Sequence, residues 1–224
     1  MGHRGAAAVA PQNTLEGLQA AIDSGADIVE FDIQSDLSLG HPGEERIGPR
    51  VLLHEAITFL APAAIGIHLD LKAVGIEGAV VEALRAQGVM ERTIISTPSI
   101  ASHRALAALG GPVTAAITYP QDRLGASRFT WPKAVTAPAI AVGRAAMPAR
   151  GRRLLRVSAA PAVALHHTLV TPRLVQVCHA RDAGVIAWTV DDPLHVERLV
   201  RAGVDAIVSN DPQLVLTTLD TLWG

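Results

Sequence analysis

Glu30 and Asp32 stand two residues apart in the apolar run Val29–Ile33. In an extended strand side chains alternate faces, so both carboxylates point one way while Val29, Phe31 and Ile33 point the other. Two acids on one face of an apolar strand repel each other, and burying them costs several kcal/mol unless something positive lies between them. A hard divalent cation, Mg²⁺ or Ca²⁺, takes oxygen ligands and meets that need; acids solvated at a sheet end are the alternative. Asp70 and Lys72 repeat the two-residue spacing after Ile65–Leu69, and so share one strand face. Further polar residues close other strand-like runs: His3-Arg4, His68, His166-His167, Trp188, Asp191 and Ser209-Asn210.

The elements that must position these groups alternate between strand and helix. Strands are expected at Met1–Gly5, Ile28–Ile33, Ile65–Leu71, Thr93–Ile95, Pro112–Ile117, Ala162–Leu165, Val185–Val190 and Ala206–Val208. Asn13 with Glu16 resembles a capping box opening a helix with Leu15, Leu18 and Ile22 on its apolar face, and Gly25 ends it. Thr97-Pro98, Asp192-Pro193 and Asp211-Pro212 each combine a capping side chain with a proline at the first helical position. Helices are also expected near Glu55–Ala61 and Ile76–Gln87. Asp36–Arg50 reads as a loop with a strand stub at Leu37–Leu39. Pro120–Pro161 is the least regular stretch, holding Trp131-Pro132 and a basic Arg144–Arg156 segment read as a solvated helix face.

Such repetition is the mark of βα units in a parallel sheet. No G-x-G-x-x-G loop follows an early strand, so a dinucleotide-binding sheet loses its main support. The expected fold is α/β, a (β/α)8 TIM barrel forming a single domain over residues 1–224, with a short or truncated first strand; chemistry then collects at the carboxyl ends of the strands. The net charge of −2 argues against a nucleic-acid binder. A single cysteine, Cys178, excludes an internal disulfide framework and reads as a buried helix thiol. Neither a basic-then-apolar leader nor an apolar run near about 18 residues is present, so a cytoplasmic protein without a transmembrane segment is expected. A homo-oligomer stays open.

His3-Arg4-Gly5, Pro11-Gln12-Asn13-Thr14 and Gly25-Ala26-Asp27 through Glu30-Phe31-Asp32 resemble the opening of the glycerophosphodiester phosphodiesterase family, HRG, PENT and GAD-x-x-E-x-D. Leu69-Asp70-Leu71-Lys72 is similar to its E-x-K strand, Trp188-Thr189-Val190-Asp191 to WTVN, and Gly203–Ile207 through Asp211-Pro212 to its closing G-V-D-x-I…D-x-P. The likeness runs in order from residue 2 to residue 212. It implies metal-dependent hydrolysis of a small-molecule glycerophosphodiester to glycerol 3-phosphate and an alcohol. In that reading Glu30, Asp32 and Asp70 hold Ca²⁺ or Mg²⁺, Arg4 and Lys72 hold the phosphate, and Trp188 lines the substrate pocket. His3 is one acid/base, and the glycerol 2-hydroxyl attacks to give a cyclic phosphate that water opens.

The family's second histidine follows a hairpin after E-x-D. Two residues qualify here, His41 and His54; His54 matches V-V-x-H-D better by letter, whereas His41 leaves room for the helix before the next strand and is favoured. Asp70 stands where Glu is usual, Gln12 where Glu is, and Asp191 where Asn is. Of the doublet His166-His167, close to the site in sequence order, one residue is expected to point away; His68 is a core residue, and His103, His179 and His195 face solvent from helices. Two alternatives accompany it: a sphingomyelinase-D-like phospholipid lyase, which favours Asp-x-Lys, and a barrel that binds a phosphoester without turnover.

Overall fold

Apolar runs rich in β-branched residues, alternating with helical segments, give seven strands and eight helices among the described residues of the computed structural model, which are 1–43, 45, 48–110, 114–119 and 133–224. The strands are β1 (Ile28–Ile33), β2 (Gly66–Leu71), β3 (Thr93–Thr97), β4 (Thr114–Tyr119), β5 (Ala162–His166), β6 (Gly184–Trp188) and β7 (Ala206–Ile207). The helices are α1 (Leu15–Asp23), α2 (Leu53–Leu60), α3 (Glu77–Ala86), α4 (Ile100–Ala108), α5 (Lys133–Ser158), α6 (Pro172–His179), α7 (Pro193–Ala202) and α8 (Pro212–Trp223). All neighbouring strands pair in parallel, in the order of the sequence. Asp32, Asp70 and Ser96 lie side by side in this register, as do His166 and Trp188.

The expected first strand at Met1–Gly5 is a bridge centred on Gly2, which pairs with Val29 on one side and Ser209 on the other. Gly2 donates to Ile28 O and accepts from Glu30 N, while His3 N donates to Ser209 O and Ser209 N to Met1 O. The segment therefore joins the two outer strands of the sheet.

Alternation along the strands sorts residues between two faces. Phe31, Ile67 and Leu69 meet Leu18, Ile57, Leu60 and Leu84 of the early helices, and Val163, Leu165 and Val185 meet Leu174, Val175, Val196 and Leu199 of the later ones. The opposite face carries a smaller apolar cluster, Ala162, Ala164, Ile186 and Val208. Glu30, Asp32, His68 and Asp70 alternate with the helix-facing residues, so they share that inner face. No helix among the described residues is long and apolar enough to cross a membrane.

Several local expectations are corrected. Thr14, not Asn13, caps α1, accepting from Gly17 N. Thr97-Pro98 does not open α4; Ser99 does, because β3 runs on through Thr97. Thr171-Pro172 caps α6 in the way expected of the other Pro-led helices. His103 is buried against Thr97 O instead of facing solvent. Arg144, Arg150, Arg152, Arg153 and Arg156 are exposed on α5. Trp131-Pro132 and the Pro112–Val113 start of a strand lie outside the described residues.

Candidate active site

The carboxyl ends of β1 and β2 bring Glu30, Asp32 and Asp70 together, each offering an oxygen within 4.8 Å of the others. Their positions follow from strand parity: Glu30 and Asp32 share a face of β1, and Asp32 is directly opposite Asp70 on β2. Lys72 Nζ lies between the two aspartates, 2.7 Å from Asp32 Oδ1 and bonded to Asp70. Arg4 Nε lies 2.9 Å from Asp32 Oδ2, its backbone N donates to Glu30 Oε2 at 2.8 Å, and its Nη1 donates to Gln12 Oε1.

The loop carrying Arg4 is held in an uncommon conformation. Arg4 (φ 52°) and Asn13 (φ 57°) both occupy the left-handed region, which costs a non-glycine residue of order 1 kcal/mol. Bonds from Asn13 N to Arg4 O and from Arg4 N to Glu30 over-determine it. Asn13 also bonds β1 twice: Asp32 N donates to its Oδ1, and its Nδ2 donates to Asp32 Oδ2. In the sequence Asn13 has the marks of a helix cap and stands within the Pro11–Thr14 motif; that motif is the signal for its place at the site.

Asp70 is supported from beneath. Ser96 Oγ donates to Asp70 Oδ1 at 2.8 Å, so it accepts from His68 Nε2, also at 2.8 Å. His68 is a core residue as expected, and burial pushes its pKa down to about 4.

Three acids thus face two cations in a largely buried cluster. Burial and the charges of Asp32 and Asp70 push the Glu30 carboxyl well above the ordinary carboxylate range. Burial also pushes Asp32 up, but Lys72 and Arg4 together outweigh it and hold that carboxyl below its usual value. Burial lowers the Lys72 ammonium and the three carboxylates more than reverse this, raising it. The surplus of negative groups, all oxygen donors, fits a hard divalent cation; Glu30, Asp32 and Asp70 would hold it.

His3 lies beside this cluster, its Nδ1 2.7 Å from Asn210 Oδ1. Burial lowers its pKa, the Asn210 bond opposing in part, so the ring is neutral at pH 7. Asn210 in turn contacts Asp191, which accepts its Nδ2 at 2.6 Å. After β1 the chain doubles back, Ile33 pairing with Leu39 and Ser38 with Leu52 in antiparallel bridges. Gly40 N donates to Asp32 O, which brings the backbone just before His41 to the end of β1, and His41 Nδ1 lies 3.0 Å from Pro42 O. His54 is exposed in the first turn of α2. Further along the same inner face, at the ends of β5 and β6, Trp188 meets His166 edge-on, ring centroids 5.4 Å apart, and the His167 ring lies 4.6 Å from that of His195.

The model of the Glycerophosphoryl diester phosphodiesterase family matches residues 3–36 and 121–214, taking in His3, Arg4, Glu30, Asp32, Trp188 and Asn210. Glycerophosphodiester phosphodiesterase GDPD4 of Arabidopsis thaliana is 39% identical over 90 residues, 38% of this chain and 27% of that protein's length. A glycerophosphodiester phosphodiesterase of Caldanaerobacter subterraneus is 22% identical over 96% of this chain and 94% of its own length. Among solved structures, a glycerophosphodiester phosphodiesterase from Parabacteroides distasonis superposes with a TM-score of 0.78 at 15% identity, covering 100% of this chain and 98% of that one. An Oleispira antarctica phosphodiesterase in complex with sn-glycerol-3-phosphate gives 0.74 at 20% identity, covering 98% and 95%. With a family model spanning more than half the residues and the same fold throughout, the chain belongs to the glycerophosphoryl diester phosphodiesterase family.

Proposed function

We propose that this protein hydrolyses glycerophosphodiesters to glycerol 3-phosphate and an alcohol, with a divalent cation, Ca²⁺ or Mg²⁺, as cofactor. The observation that carries the reading is the convergence of Glu30, Asp32 and Asp70 beside Arg4, Lys72 and His3. The sn-glycerol-3-phosphate held by the Oleispira phosphodiesterase is the product this reading assigns to the present chain. The same reading takes the sheet as a closed (β/α)8 barrel, supported by the bonds of Met1–His3 to both outer strands.

A cation held by the three carboxylates would neutralise charge developing on the phosphoryl oxygens. Arg4 supplies a planar guanidinium and Lys72 a point charge toward the same phosphate. His3, neutral at pH 7, accepts the proton of the glycerol 2-hydroxyl as that oxygen attacks phosphorus. A second histidine, His41 in preference to His54, donates a proton to the departing alkoxide. Water then opens the cyclic phosphate with the two roles reversed. Trp188, part-exposed on the inner face at the end of β6, walls the headgroup side.

Incubation with glycerophosphocholine or glycerophosphoethanolamine and Ca²⁺ or Mg²⁺ should release glycerol 3-phosphate, and chelation should stop it. No product with any divalent ion would refute the proposal. His41→Ala should abolish turnover and His54→Ala leave it within about twofold; the reverse result would transfer the role to His54.

A further inference from the structure

We propose that Asp191 and Asn210 form a positioning relay that sets the tautomer of His3, so that Nε2 is the nitrogen offered to the reacting hydroxyl. The inference rests on the phosphodiesterase reading for its kinetic consequence, but the tautomer itself stands on geometry alone.

The backbone brings the three residues together. His3 N donates to Ser209 O at 2.8 Å, which sets His3 alongside Asn210, and Val190 N donates to Val208 O, which sets Asp191 level with both. Asp191 then gathers three donors: Ser209 Oγ at 2.9 Å and Asn210 N at 2.8 Å on Oδ1, and Asn210 Nδ2 at 2.6 Å on Oδ2. An ionised carboxylate can only accept, so the end of the Asn210 amide facing Asp191 must be its NH₂. The other end, Oδ1, is the atom 2.7 Å from His3 Nδ1. A carbonyl oxygen has no hydrogen to give, so Nδ1 must donate. In the neutral ring Nε2 then carries the lone pair.

The choice of an amide at position 210 has a consequence. A carboxylate there would stabilise the imidazolium, whereas the amide fixes orientation and tautomer without holding a second proton on the ring. Asp191 keeps the amide from turning over. Since Asn210 and Asp191 act through His3, both are positioning residues.

The test uses full-length protein labelled with ¹⁵N at histidine, together with turnover of glycerophosphoethanolamine. In the parent near pH 7.5 the His3 signals should show the Nδ1–H form. Asn210→Ala should shift His3 toward the Nε2–H form and lower kcat about 10- to 100-fold, within the range assigned to acid–base groups, with KM changed less than about twofold. Asn210→Asp, whose carboxylate also accepts from Nδ1–H, should keep hydrogen on Nδ1 but hold a second proton on the ring, so kcat near pH 7.5 should stay below the parent's. If Asn210→Ala does not fold, Asp191→Ala carries the same test from an exposed position, releasing the amide and giving a mixture of tautomers. An Nε2–H ring in the parent, or a tautomer unmoved in the folded variant, would overturn the relay. Failure of the parent to hydrolyse any glycerophosphodiester would defeat the proposed function, while the ¹⁵N signals would still decide the tautomer.

Discussion

Glu30 concentrates the conflict within the site. It is 4% exposed, bonded to Arg4 N and crowded by two other carboxylates. Its folded pKa is raised above its unfolded value, so ionising it costs stability, and that cost appears as pH rises above the unfolded value and grows until the folded pKa is reached. Without a divalent ion, Glu30→Gln should therefore gain stability over the parent as pH rises from the unfolded carboxylate value toward the raised folded one. Denaturant unfolding in a chelator measures the difference, and equal pH slopes in both proteins would count against it. Added Ca²⁺ or Mg²⁺ at about 100-fold over its dissociation constant should raise parent stability by about 2.7 kcal/mol and leave the variant nearly unmoved. Lys72→Met removes the charge between Asp32 and Asp70. It should lower kcat about 10²- to 10³-fold, as loss of a transition-state donor does. Lys72→Arg should not restore it, since a planar fork does not replace a point charge between two carboxylates; full recovery would refute that role.

At the scale of elements, the Arg4–Asn13 loop is seated by two glycines. A Cβ on Gly5 would fall 2.4 Å from the Gly17 carbonyl carbon, and one on Gly17 would fall 2.5 Å from Pro11 O. Both obstacles are backbone, so neither can swing aside. Gly17→Ala should destabilise by about 1–3 kcal/mol through overpacking, and should cost activity as well because Arg4 rides on the displaced loop. Gly78, exposed on α3 with nothing within 4 Å, offers the contrast: Gly78→Ala should gain about 0.5–1 kcal/mol. Denaturation curves of the pair separate crowding from helix propensity, and equal effects would dismiss the crowding. Of such elements, the sequence made legible what is local. Strand parity put Glu30 beside Asp32, and Asp-Pro pairs announced α7 and α8. It did not reveal Asn13, whose partners are on a strand about twenty residues away, nor Ser96, which is significant only once β3 lies beside β2. His103 misled because its helix packs both ways: its ring reaches back to Thr97 O.

At the scale of the whole molecule, the decisive question is how three residues, Met1 to His3, can serve as the short first strand that the sequence predicts. Counting residues along the chain predicts a weak element, because strands ordinarily run to about five or six residues. Here each residue serves an edge: Gly2 bonds β1 through both its N–H and its carbonyl, while Met1 and His3 bond the β7 side through Ile207 and Ser209. Pairing on both sides is invisible to any local pattern, and it decides whether His3 and Arg4 are fixed against the carboxylates or left on a frayed edge. If the segment closes the sheet, the amides of Gly2, His3, Glu30 and Ser209 should exchange with solvent only through global unfolding. Their rates should lie within about tenfold of those of Leu69 and Val185, which are buried in central strands, since edges open locally at far lower free energy. Native-state hydrogen exchange read residue by residue makes the comparison, and exchange of the four amides by orders of magnitude faster would show an open sheet. Gly2→Ala sharpens the test, because its Cβ would meet Gly5 O at 2.2 Å. The substitution should release the four amides together and lower turnover in step, linking closure of the sheet directly to the placement of His3.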